Sequence, residues 1–153
     1  MLLSRYLEQL VNSENNLMVF REDELVFQSQ GRGIAPLIEA IDTIGRENLI
    51  GVVTADRVVG KAAALLNLYM GAVEVHAGVI SSGAKALLSE HGVQYQFLED
   101  TDVVKAKDGV IFCPFEKLVW DISDPEEANT LIRAKLPMRA ELVRRYEPNG
   151  SKL

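Results

Sequence analysis

One cysteine, two histidines, one tryptophan and five prolines in 153 residues are few, and each scarcity removes a class of protein. A lone Cys113 cannot close an intrachain disulfide and suits a reducing compartment. Cys113, His76 and His91 are the soft metal donors, and no C-x-x-C or H-x-x-H spacing links them, so a metal centre is not expected. The longest apolar run free of charge or glycine, around Ala62 to Leu66, falls far short of the roughly 18 residues that span a bilayer. The opening MLLSRYLEQL has no basic stretch ahead of an apolar block, so neither secretion nor a membrane is indicated and a cytoplasmic place is expected.

What is present is globular: 48% apolar and 25% charged residues at the length of one ordinary domain. The net charge of −6 is unevenly placed, with −10 over residues 1–127 and +4 over residues 128–153. An acidic body repels nucleic acid and disfavours a DNA or RNA binder. The basic tail (Arg133, Lys135, Arg139, Arg144, Arg145) reads either as a solvated helix face or as a contact with another subunit, which would make a homo-oligomer.

Leu3, Tyr6, Leu7, Leu10 and Val11 recur at helical spacing, predicting a helix over Leu2 to Asn12 that the polar run NSENN ends. Two β-rich stretches, Leu17 to Arg21 and Leu25 to Ser29, flank Glu22, Asp23 and Glu24 and predict a hairpin. Helix and strand then alternate. A helix runs from Ile34 to Ile44 with Pro36 early and Gly45 at its end, and a strand from Leu49 to Thr54. A helix from about Arg57 to Met70 follows, capped by Asp56 and closed at Gly71, then a strand from Ala72 to Ile80. Ser81 or Ser82 caps a helix ending at His91 and Gly92, and Gln94 to Leu98 is another strand. This order predicts a mixed sheet with helices on both faces, an antiparallel hairpin and later parallel strands. Beyond Asp100 come a turn at Asp108 and Gly109, a short apolar run Val110 to Phe112, and a turn or short helix at Pro114. Asp124, Pro125, Glu126 and Glu127 start a helix that Pro137 separates from a last basic one. Residues 1–123 thus form one α/β domain, with 124–153 as its helical extension.

Several motifs fail on inspection. The phosphate loop G-x-x-x-x-G-K-[ST] would need glycine at Ala55 and serine or threonine at Ala62. Ser82 and Lys85 form S-x-x-K without its companion motifs, and serine before an Ala/Leu helix is a cap. Gly31, Arg32 and Gly33 are too few glycines for a dinucleotide fingerprint and make a turn. Cys113, in IFCPF, reads as a small buried thiol, His76 as a hydrogen-bonded strand histidine, and His91 as a helix C-terminal residue.

The string LVFQSQGRGIAPLIEAI followed by VVTADRVVGKAAALL resembles a bacterial family of unknown function whose members have a cytidine-deaminase-like fold without its zinc site. The resemblance implies a three-layer α/β/α sandwich and covers roughly Leu17 to Leu136. Deaminases of that superfamily place His-x-Glu and Pro-Cys-x-x-Cys at two helix starts that meet around zinc. Laid on this chain, Pro-Cys-x-x-Cys falls on Asp56 to Gly60 and His-x-Glu near Gly31 to Ile34, where every metal ligand is missing. In a bacterial setting the terminal Ser151-Lys152-Leu153, a peroxisomal address, is a coincidence.

The residues left at those helix starts are Arg32, Gly33, Thr54, Asp56, Arg57, Gly60 and Lys61, with Ser81 and Ser82 at the next. They define an expected pocket for a polar or phosphorylated small molecule, with no cofactor and no catalytic residue. The same residues admit a plainer role: Gly60 for helix packing, Lys61 in solvent, Asp56 as a cap alone. Three functions follow. The leading one is non-catalytic binding of a nucleotide-like or phosphorylated ligand, the word nucleotide coming from the resemblance; the others are an oligomeric interaction module and a metal-free enzyme using Lys61 or Cys113.

Overall fold

The computed structural model describes residues 3–104 and 113–146. Its elements follow as α1 (Arg5–Val11), β1 (Leu17–Arg21), β2 (Glu24–Ser29), α2 (Ala35–Ile44), β3 (Val53–Val59), α3 (Lys61–Met70), β4 (Glu74–Ser81), α4 (Ser82–Glu90), β5 (Gln94–Thr101), α5 (Pro114–Leu118) and α6 (Pro125–Tyr146). The strands form one sheet in the order β2-β1-β3-β4-β5. β1 is antiparallel to β2 and to β3, whereas β3, β4 and β5 run parallel through the α3 and α4 crossovers, so the sheet is mixed and the fold α/β.

Alternation along β1 sorts the molecule into two faces. Leu17 and Val19 point to the main core, built from α2, α3, α4, α5 and α6 through residues such as Leu37, Leu65, Leu88, Phe115 and Ile132. Met18 and Phe20 point the other way, to a smaller core with Leu7 and Leu10 of α1 and Ala55 of β3. α1 alone among the described residues covers that second face. Among the described residues no helix is long and apolar enough to cross a membrane.

Local chemistry fixes many of the joints. Glu22 and Asp23 close the β1–β2 hairpin at positive φ (49° and 68°), a two-residue turn whose twist matches the strands. Asp23 is held there by the Tyr6 hydroxyl at 2.5 Å and by Arg5 at 2.7 Å. Pro36 lies in the first turn of α2, and Gly71 closes α3 at φ +82°. Ser81 is the cap of α4, its Oγ accepting from Ala84 N at 3.1 Å, and His91 ends that helix.

Three expectations are corrected. The strand expected at Leu49 to Thr54 lies at Val53–Val59; Leu49 and Val52 are buried, but a single 3-10 turn at Arg46–Asn48 and Gly51 at φ +91° keep that apolar stretch from extending. The next helix accordingly begins at Lys61 and not near Arg57, so Asp56 is a strand residue and not a cap. α6 runs unbroken through Pro137, so the proline costs one helical hydrogen bond without ending the helix. Cys113 is half-buried at the start of α5. The turn at Asp108 and Gly109 and the run Val110 to Phe112 lie outside the described residues. Of the 124–153 segment, Ala128 and Ile132 belong to the main core, which seats α6 beside α3.

Candidate functional site

The nine residues expected to form one pocket are distributed over four places. Arg32, Gly33, Asp56 and Arg57 line a cleft of about 530 Å³ together with Glu14, Asn16, Gln30 and Val58. Thr54 lies beneath α3, donating its hydroxyl to Asn67 Oδ1 at 2.6 Å in the buried core. Gly60 and Lys61 stand at the start of α3, and Ser81 and Ser82 at the start of α4, Ser82 Oγ donating to Thr101 O at 3.5 Å.

The start of α3 is occupied by the protein itself. Glu116 of α5, only 4% exposed, accepts hydrogen bonds from Lys61 N and Ala62 N, each at 2.7 Å. Its carboxylate satisfies two of the four N–H groups that a helix start leaves unpaired, and it does so at the positive end of the helix dipole. Burial pushes the Glu116 carboxyl above its ordinary range, opposed by those two N–H bonds and by the charge of Lys61. Gly60 makes room for the contact: a Cβ there would lie 2.4 Å from Glu116 Oε1 and 2.7 Å from Val104 Cγ2. The Lys61 ammonium donates to Trp120 O at 2.6 Å. The electropositive hollow expected around Gly60 and Lys61 is therefore filled by an internal carboxylate, and neither residue lines the cleft.

The cleft is assembled by β1–β3 pairing, which sets Leu17 opposite Asp56 and so lays the α1–β1 loop beside the end of β3. Arg57, on the α1 face, donates to three backbone carbonyls: Asn15 O at 2.7 Å, Leu10 O at 2.9 Å and Ser13 O at 2.8 Å. It fastens the loop. Asn16 fastens the other wall, its side-chain amide donating to Gln30 O at 2.9 Å and Gly31 O at 3.0 Å in the β2–α2 loop. The sequence does not mark Glu14, Asn16, Gln30 and Val58 as lining residues. Their signal is the β1–β3 register, which the run NSENN does not disclose.

Asp56 sets the chemistry of this cleft. It alternates with Arg57 to the opposite face, is 6% exposed, and accepts from Val58 N at 3.4 Å; among the described residues it has no side-chain partner. Burial pushes its carboxyl up to about 8, with backbone N–H groups opposing the rise, so at neutral pH it holds a proton. A neutral carboxyl offers an O–H donor beside a carbonyl acceptor. Arg32, exposed on the same cleft, supplies a guanidinium.

Zinc, the metal of the catalytic deaminases, does not fit these residues. The stretch laid on Pro-Cys-x-x-Cys is strand from Asp56 to Val59, and the true helix start offers Gly60, Lys61, Ala62 and Ala63, none of them a zinc donor that could join a site there. Among the described residues no three His, Cys, Asp or Glu side chains converge as a metal site.

Comparison with known proteins agrees on one family. The description "TM1506: Domain of unknown function (DUF1893)" matches residues 6–136. The crystal structure of a DUF1893 family protein (TM1506) from Thermotoga maritima superposes with a TM-score of 0.76 at 33% identity, over 87% of this chain and 92% of that one. No curated protein matches. With the matched stretch running through most of its length, the chain belongs to the DUF1893 family, whose function is unknown.

Proposed function

We propose that the chain binds a small polar ligand, nucleotide-like or phosphorylated, in the cleft between the β2–α2 loop and the end of β3, a site that is itself non-catalytic. Asp56 carries the reading: a buried carboxyl that lines an open cleft, with a backbone N–H as its partner, is costly to fold unless something uses it. In its neutral form it complements an adjacent donor and acceptor pair, as on the edge of a cyclic amide or amino-imine ring. Arg32 complements a phosphate at the mouth. A deaminase-like fold stripped of zinc belongs to the same proposal, supported by the hairpin followed by repeated helix and strand.

Melting shifts against a panel of nucleotides and sugar phosphates test it. A ligand at 100 times its dissociation constant adds about 2.7 kcal/mol to stability. The shift is expected to persist in Asp56→Asn, whose amide keeps a donor beside an acceptor, and to shrink in Arg32→Ala. No shift with any phosphorylated compound, or an unchanged shift in Arg32→Ala, would remove the proposal.

A further inference from the structure

On the opposite face of the sheet, under α1, three polar side chains meet that the cleft does not use. Alternation along β4 places Glu74 and His76 on one side of the strand, and the His76 ring, 1% exposed, packs 4.8 Å from the Tyr6 ring. His76 Nδ1 lies 2.7 Å from Ser4 Oγ, and His76 Nε2 contacts the Glu74 carboxylate. A carboxylate only accepts, so it fixes the proton of the neutral imidazole on Nε2 and leaves Nδ1 as a lone pair. The Ser4 hydroxyl must then donate to Nδ1. Leu7 N donates to the same oxygen at 3.1 Å, which leaves one lone pair of Ser4 Oγ uncommitted. Capping α1 needs only the serine and the Leu7 N–H; the buried base and its acid are additional.

We propose that Ser4 is an activated nucleophile that accepts an acyl group from small activated esters, with His76 as its base and Glu74 as a positioning residue. Ser4 is half-buried, whereas the base behind it is buried. Nucleophile bonded to base, and base bonded to an orienting acid, is the arrangement that acyl transfer by serine requires. Ser4 Oγ attacks the acyl carbon as its proton passes to Nδ1, and the Nε2–H of the resulting imidazolium stays on Glu74. The ester C–O bond breaks and the alkoxide leaves with the proton from Nδ1. Water then attacks the acyl-serine, gives its proton to Nδ1, and releases the carboxylic acid while Ser4 recovers its hydrogen.

The full chain treated with p-nitrophenyl acetate at mildly alkaline pH decides the matter, by release of nitrophenolate and by mass mapping of the acetylated peptide. Acetylation is expected on Ser4. It should be absent in Ser4→Asn, which keeps a helix cap without a nucleophile, and slower by about 10²–10⁴-fold in His76→Gln. Tyr6 and Glu74 are the titratable neighbours that touch His76, and removing the negative charge with Glu74→Gln should move the pH profile of labelling to lower pH as well as slow it. A purely structural role for Glu74 would leave that profile in place. Acetyl groups on lysines or the chain terminus with Ser4 unmodified, or equal labelling of Ser4 in a folded His76→Gln protein, would overturn the assignment. Should His76→Gln fail to fold, the location of the label in the wild-type chain and its loss in Ser4→Asn still decide it.

Discussion

Two places at the end of β3, the start of α3 and the cleft leading to α2, are furnished in opposite ways. At α3 the chain supplies its own anion: Glu116 reaches across 55 residues to two backbone N–H groups, and Gly60 is bare so that it can. At the cleft the chain supplies a buried acid and an exposed cation, Asp56 and Arg32, and gives neither a side-chain partner among the described residues. Gly-Lys at a helix entrance is thus no sign of a ligand site by itself. What matters is whether the fold brings an internal carboxylate to it, and the open place is marked by a polar group that folding has buried without a matching side chain.

The largest expected effect comes from the open side. Because folding raises the Asp56 pKa from 3.8 to about 8, the folded chain holds a proton that the unfolded chain gives up between those values. The stability this group contributes is complete below about pH 4 and is lost as pH rises through about 8, at up to about 1.4 kcal/mol per pH unit. Asp56→Asn does not titrate. Urea denaturation should find it close to wild type near pH 4 and more stable by several kcal/mol near pH 8, the gap widening steadily between. A gap that stays flat with pH would show Asp56 ionised in the folded chain and would erase the contrast between the two places.

On the filled side the next effect is a loss. Gly60→Ala sets a methyl against the Glu116 carboxylate and Val104, so the carboxylate must withdraw and both N–H bonds go with it. Overpacking of this kind costs about 1–3 kcal/mol before the lost bonds are counted, so about 3 kcal/mol is expected in chemical denaturation. Glu116→Ala removes the acceptor without the clash and should cost about 2 kcal/mol, and Glu116→Gln, which keeps one acceptor oxygen, about 1 kcal/mol. That ranking, and not the absolute values, identifies Glu116 as the internal anion. A Glu116→Ala protein as stable as wild type would mean that water caps α3 equally well.

Much of the fold is legible in the chain because its signals are local. Pro36 and Gly45 bound α2, Gly71 closes α3, Ser81 starts α4 and Asp124 starts α6, each by chemistry acting within a few residues. The errors arise where a residue's role depends on a distant partner. Asp56 and Arg57 look like a helix start because both are charged, yet each is taken inward on a strand: one to a cleft and the other to carbonyls more than 40 positions away. The sequence points to half of the residues that line the cleft, Arg32, Gly33, Asp56 and Arg57. The other half needed the register that sets Leu17 against Asp56. Glu116 and the Ser4–His76 pair, separated from their partners by 55 and 72 positions, leave no mark that spacing could detect.

The smallest expected effect is the sharpest test of the division. Lys61 lies outside the cleft, and its ammonium donates to Trp120 O in a partly exposed setting. Removing such a bond costs little, because water replaces the acceptor's partner and a long side chain regains its freedom, so Lys61→Ala should change stability by less than about 0.5 kcal/mol. Its effect on ligands should also be negligible: a screened charge beyond the cleft wall contributes little to an anion held by Arg32. Titration calorimetry of a phosphorylated ligand with wild type, Arg32→Ala and Lys61→Ala proteins compares the two cations directly. Equal weakening by both would mean that the entrance of α3 and the cleft act as one site, with Glu116 displaced when the ligand binds. Weakening by Arg32→Ala alone keeps them separate and leaves Lys61 as part of the internal closure of α3.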